Sequence, residues 1–285
     1  MSSVITARGL TKRYGTTKAI DGLDFNIESG RIVGLIGPNG SGKTTTLKAL
    51  LGLIPVEGAL TVLGLNPVEE RYALMESVSF IADSAILPRW IRVSEIVDFV
   101  EGVHPKFQRT KALRYIENTK LTPKMKVKEM SKGMIVQLHL ALIMAIDSKL
   151  LVLDEPTLGL DIIHRQMFYR NLLDDYFDET KTIIISTHQI EEIEHVVSDL
   201  MFINDGHLVL AESMDSMGRR FTELVPHSHS IEEALMLKPI DSRTTLGSRR
   251  MLFDGVNQAK LSELGDIKVP SLSDVFVATI QGAQR

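Results

Sequence analysis

An apolar run passes directly into Gly37-Pro-Asn-Gly-Ser-Gly-Lys43-Thr44 and then into a segment of helical periodicity, and this passage constrains the chain more than any other. The octet fits G-x-x-x-x-G-K-[ST] in the strand-to-helix setting that the pattern requires. Its glycines let backbone N–H groups turn inward around phosphate oxygens, and the N-terminus of the next helix adds partial positive charge. Gly37, Pro38, Asn39, Gly40, Ser41 and Gly42 are therefore expected to wrap a polyphosphate, with Thr45 beside it at the helix start. Lys43 is expected to reach the β- and γ-phosphates, and the Thr44 hydroxyl to ligate Mg²⁺.

Four short runs rich in Ile, Val and Leu, at 31–36, 78–82, 150–153 and 182–186, are apolar throughout instead of alternating. Such runs suggest strands covered on both faces, as in a parallel α/β sheet, and helical patterns at 43–52 and 131–147 lie between them. Ligands of such sheets bind beyond the carboxyl ends of the strands. Each run here ends in chemistry: the Gly37–Thr44 loop, Asp83, Asp154 with Glu155, and Thr187 with His188. Convergence of the four ends on one crevice is the main structural expectation. Asp154 is placed to hold Mg²⁺, and Glu155 to take a proton from an attacking water. Without the phosphate loop upstream, the same pair would read as an exposed acidic turn before Pro156. His188 is either a satisfied structural histidine or a partner of the γ-phosphate and the attacking water, and the company of the other clusters favours the second role.

Composition narrows the function classes. Lys and Arg number 32 against 36 Asp and Glu, a net charge of -4, so the basic excess of a nucleic-acid binder is missing and no nucleic-acid partner is expected. The chain has no Cys, which removes disulfides, thiolate nucleophiles and cysteine zinc sites. Residues 1–13 lack an apolar secretion segment, and the longest apolar-rich stretch, 138–146, falls far short of the roughly 20 residues that span a bilayer. Residues 4–27, continued by 59–63, suggest antiparallel strands. Residues from about 84 to 148 look mostly helical, as an inserted subdomain. After 210 the pattern weakens, with a strand candidate near Met251 and a helix candidate at 271–280. His227 and His229, and the pair Arg249 and Arg250, read as solvated surface.

The order of these motifs resembles the nucleotide-binding subunit of ABC transporters, over roughly residues 4–210. Tyr14 stands where such subunits place an aromatic against adenine, though it also reads as a packing tyrosine beside a turn. Met130-Ser131-Lys132-Gly133-Met134 stands at the signature sequence, most often Leu-Ser-Gly-Gly-Gln, and Ser131 also reads as a helix N-cap. Thr157-Leu-Gly-Leu-Asp161 matches the loop that meets the opposite subunit, and His188 the switch histidine. The resemblance implies an α/β P-loop ATPase fold: a mainly parallel core sheet, an antiparallel β subdomain and an inserted helical subdomain within residues 1–210. Residues 211–285 then form a small C-terminal accessory or dimerisation region.

It further implies an ATP- and Mg²⁺-dependent ATPase that closes with a second copy or a paralogue around two ATP. Separately encoded integral membrane permease subunits would be driven, for export, from the cytoplasmic face of the membrane. The Ser-Lys-Gly-Met signature is similar to that of export-type subunits related to bacitracin resistance. A soluble ATPase acting on ribosomes or DNA would carry paired cassettes or long coiled coils and a basic surface. A non-catalytic regulator would carry a damaged site, whereas Lys43, Asp154, Glu155 and His188 are all present.

The main departure is Asp83, where the family usually has a glutamine that reaches Mg²⁺ and the attacking water. Two unit charges 4 Å apart at an effective dielectric near 20 repel by about 4 kcal/mol, so Asp83 is expected to aim at Mg²⁺ or a metal-bound water, or to stay turned away until closure, and not to point at the γ-phosphate. Asp83→Asn is therefore expected to change ATPase coupled to the membrane partner more than ATP affinity. A large loss of nucleotide binding with coupling intact would contradict this.

Overall fold

The computed structural model describes residues 3–82, 87–245 and 248–283. A hairpin of two long strands, β1 (Ser3–Tyr14) and β2 (Thr17–Glu28), leads into β3 (Ile32–Ile36), α1 (Lys43–Leu50), β4 (Glu57–Val62), α2 (Arg71–Met75) and β5 (Val78–Ile81). Helices α3 (Val93–Val103), α4 (Arg109–Glu117) and α5 (Lys132–Met144) precede β6 (Leu150–Asp154), α6 (Ile162–Asn171) and β7 (Thr182–Thr187). The chain proceeds through α7 (Ile190–Ile193), β8 (Asp199–Asn204), β9 (His207–Ser213), α8 (Met214–Arg220), β10 (Phe221–Pro226) and α9 (Ile231–Met236). Then come β11 (Asp241–Thr245), β12 (Ser248–Asp254), α10 (Gln258–Ser262), β13 (Gly265–Lys268) and α11 (Leu272–Ala283).

The central sheet has the order β5-β6-β7-β3-β8-β9, parallel except for the edge strand β9. The four continuous apolar runs of the sequence are β3, β5, β6 and β7. Their apolarity results from burial on both faces, since successive side chains of a strand point to opposite sides. Ile32, Ile36, Leu151, Leu153, Ile183 and Ile185 enter a core shared with α6 and α7. Val33, Leu35, Leu150, Val152 and Ile184 enter the opposite core, against α1 and the antiparallel sheet β2-β1-β4. Strands β8 and β9 extend the sheet beyond the reading by runs, because Asp199 and Asn204 bound the first while His207, Glu212 and Ser213 break up the second.

Helix α5 buries two sides where the sequence suggests one. Leu138, Ala141 and Leu142 pack with Val93, Ile96, Val97 and Ile116 of α3 and α4, whereas Leu140 and Met144 join the core beneath the sheet. It therefore packs against both layers.

The residues after 210 are more regular than their pattern suggests. They form an antiparallel sheet, β11-β12-β10-β13, over a small core of Leu224, Ala234, Met251, Phe253, Leu261 and Leu264. Polar runs such as Asp241-Ser-Arg-Thr-Thr hide these short strands, which are held mainly by backbone pairing. Helix α11 returns to the central sheet, where Leu272, Val275 and Ala278 join Ile190, Ile193 and Phe202. The Phe276 ring meets Phe202 edge-on, with centroids 5.1 Å apart. His227 and His229 are exposed as expected, with stacked rings. The Arg250 side chain is 37 % exposed, in line with the surface reading, and lies 3.4 Å from Glu223, whose side chain is 5 % exposed; Lys268 approaches the same oxygen at 3.3 Å.

Because α11 fills the central core, Leu272→Ala is expected to cost about 2–5 kcal/mol of unfolding free energy. Chemical denaturation monitored by nucleotide binding and by circular dichroism checks this. Both signals are expected to move to the same lower midpoint.

Candidate active site

The parallel register sets three strand ends side by side: Asp154 pairs with Ser186, and Ile36 pairs with Thr187. The Gly37–Thr44 loop, the Asp154-Glu155 pair and His188 thereby open on one side of the sheet. The loop is bent as its glycines permit. A Cβ on Gly37 would lie 2.2 Å from the Ile203 carbonyl oxygen and 2.5 Å from Ser41 Oγ. Gly42 sits at φ +109, where a Cβ would lie 2.4 Å from the Ala19 carbonyl oxygen.

Asn39, Gly40, Ser41, Gly42, Lys43, Thr44 and Thr45 line a cavity of ≈ 440 Å³ together with Ala19, Glu155, Leu158 and His188. That volume lies in the range of small-ligand clefts. Lys43 is 6 % exposed and its Nζ donates to the carbonyls of Gly37 at 2.8 Å and Pro38 at 3.3 Å. Thr44 is exposed at the cavity surface, whereas the Ser41 hydroxyl is buried without a hydrogen-bond partner.

Glu155 ties these parts together. Its Oε1 lies 3.6 Å from Lys43 Nζ, and its Oε2 lies 2.9 Å from His188 Nδ1. Its backbone is left-handed, at φ +48. That conformation costs a non-glycine residue about 1–2 kcal/mol, and hydrogen bonds from the Glu155 N–H to the carbonyl and the hydroxyl of Ser186, both at 3.1 Å, hold it there. The same hydroxyl donates to Asp154 Oδ1. One serine thus separates two adjacent acids: Asp154 points into the sheet end, 2 % exposed, and Glu155 swings up to the cavity. The arrangement can polarise a water beside a polyphosphate and receive its proton.

The site residues expected from sequence do not all gather there. Gly37 and Pro38 serve through the carbonyls that hold Lys43, outside the cavity lining. Tyr14 ends β1, is 50 % exposed and lies outside that lining, with Lys12 Nζ over its ring at 5.4 Å. Ser131 is exposed and caps α5, accepting from Met134 N at 3.2 Å. Gly133 lies in a separate groove with His164, Asn118 and Asn171. Asp161 caps α6, and the His164 N–H and ring hold its carboxyl below the usual value. Asp83 lies outside the described residues.

Sequence reading passed over Ser186 and Ala19, although the parallel pairing of the runs at 150 and 182 brings Ser186 beside Asp154. Removing its hydroxyl leaves buried groups unpaired, so Ser186→Ala is expected to cost about 1–3 kcal/mol in urea unfolding. Ser186→Thr, which keeps the hydroxyl, is expected to retain most of it.

A family profile for ABC transporters matches residues 20–158. The bacitracin transport ATP-binding protein BcrA of Bacillus licheniformis is 33 % identical, over 99 % of this chain and 99 % of the relative. The daunorubicin resistance ATP-binding protein DrrA3 of Streptomyces coeruleorubidus is 28 % identical, over 96 % of this chain and 95 % of its own. Among solved structures, cbiO1 of Clostridium perfringens, part of the ABC transporter complex cbiONQ, superposes with a TM-score of 0.66 at 20 % identity, covering 84 % of this chain and 96 % of that one. The fold, the phosphate loop and full-length similarity to ATP-binding transport proteins agree: the chain belongs to the ABC transporter family, as an ATP-hydrolysing ATP-binding subunit.

Proposed function

We propose that ATP binds in the cavity above the Gly37–Thr45 segment with Mg²⁺, and that Glu155 is the general base of its hydrolysis. The observation that carries this reading is the placement of the Glu155 carboxylate between Lys43 and His188, at 3.6 and 2.9 Å, on a strained backbone. On binding, Lys43 exchanges the Gly37 and Pro38 carbonyls for phosphate oxygens and releases Glu155. Glu155 then takes the proton of the attacking water, and His188 holds the water and the γ-phosphate in line. The donors near the phosphates fit a hard cation: the Thr44 hydroxyl and the buried Asp154 carboxylate are oxygen ligands, the latter fixed by Ser186. When bound, Mg²⁺ neutralises charge developing on the β- and γ-phosphates.

The cavity is open on the side where Leu158 is 52 % exposed, and the neighbouring Ile162 and Ile163 are 70 % and 66 % exposed. We infer that a second copy, or a paralogue, covers this side and brings its Ser131 and Gly133 to the γ-phosphate, with Asp161 at the junction and Tyr14 against the adenine. Residues 1–210 carry this work and 211–285 are accessory to it. Within the helical stretch, Trp90 at 69 % and Phe99 at 62 % exposure offer a docking surface for separately encoded membrane subunits. Among the described residues no helix is long and apolar enough to cross a membrane. Peripheral attachment at the cytoplasmic face accords with this reading, and the names of the bacitracin and daunorubicin relatives support export.

Glu155→Gln keeps the shape of the side chain and removes its basicity. Turnover is expected to fall about 10²- to 10⁴-fold, with an ATP-bound dimer accumulating in size-exclusion chromatography. Near-normal hydrolysis would remove Glu155 from the base role.

A further inference from the structure

We propose that Arg165 and Glu192 form a positioning clamp that sets the distance between Glu155 and His188. This deepens the reading above and rests on the roles given there to those two residues. Neither member touches the cavity, and neither belongs to the motifs by which the site is legible.

The clamp closes a ring across two loops. Arg165, on the first turn of α6, donates from Nε to the Leu160 carbonyl at 3.0 Å and from Nη1 to Gln189 Oε1 at 2.7 Å. The same Nη1 pairs with Glu192 Oε1 on α7. Glu192 Oε2 accepts from Thr157 Oγ1 at 2.8 Å, and Thr157 also lies 3.4 Å from the buried Tyr169 hydroxyl. Thr157 and Leu160 belong to the loop that begins at Glu155, and Gln189 comes directly after His188. The arginine therefore fastens the segment after the proposed base to the segment after the switch histidine.

The surroundings suit a device of fixed geometry. Thr157 is 4 % exposed, the Glu192 side chain 12 % and the Arg165 side chain 27 %, so the pair is partly shielded from water, and parting its members leaves the less exposed carboxylate without its cation. The arginine fork meets the Leu160 carbonyl from Nε while Nη1 meets Gln189 and Glu192, and a lysine in its place, with one nitrogen, could not occupy both donor positions. The contact that this ring protects, Glu155 Oε2 to His188 Nδ1 at 2.9 Å, joins side chains at the ends of two different strands. A shift of about 1 Å in either loop would open it, and misplacements of that size cost up to about 100-fold in rate.

The test compares the purified full-length chain with Arg165→Ala, Arg165→Lys, Glu192→Gln and the exchange Arg165→Glu with Glu192→Arg, measuring ATP hydrolysis with Mg²⁺, ATP affinity and thermal unfolding. A positioning role predicts a kcat lowered about 10- to 100-fold in Arg165→Ala and Arg165→Lys, with KM for ATP moved less than about threefold. Glu192→Gln is expected to lose less than Arg165→Ala, and the exchange to recover part of the loss. Wild-type kcat in Arg165→Ala overturns the proposal. So does a parallel loss of kcat, ATP affinity and unfolding temperature that the exchange does not relieve. Glu155→Gln, measured alongside, separates the two readings: if it is inactive while Arg165→Ala is normal, only the clamp fails, and if it hydrolyses normally the proposed base fails first.

Discussion

Everything at the site depends on the parallel pairing of β6, β7 and β3. A parallel ladder sends neighbouring strands in the same direction, so the loop leaving one strand lies beside the loop leaving the next. Three loops far apart in sequence become neighbours for that reason alone. The pairing is in turn paid for by apolar burial on both faces of the sheet, which is why the strands are written in isoleucine, valine and leucine with little room for polar residues except at their ends. The first polar positions after such strands are where chemistry becomes possible.

Much of this was legible because each signal has a short-range physical origin. The glycines of the phosphate loop are demanded by local backbone geometry, and the apolar runs by two-sided burial. Both can be read without knowing the partner strands. The swing of Glu155 away from Asp154 was not legible, because it depends on a serine 32 positions from Asp154 whose role exists only once the register is set. Likewise β8 and β9 lack a continuous apolar signature, and the sheet after Phe221 is held by backbone pairing, which leaves little trace in side-chain pattern. The ion pair that Arg250 makes from the surface was hidden for a related reason. Its partner Glu223 is a buried carboxylate between Thr222 and Leu224 of β10, an exception that no periodicity announces.

The charged side chains of the site are held by partners. Lys43 is engaged by two carbonyls and a carboxylate, and Glu155 by a lysine, a histidine and the serine that fixes its backbone. The cationic side chain is thus kept in place by its own loop. Holding charged groups in advance lowers the cost of ordering them when ligand arrives.

The return of α11 to the central core has a practical side. Its Leu272 and Val275 cover apolar groups of the short helix just after His188, and Ser273 reaches Glu191 on that helix. A protein ended after residue 210 would not be a smaller version of the same machine. It would present a raw greasy stripe to solvent on the helix directly after His188, so workers seeking a minimal ATPase fragment should keep the last helix attached.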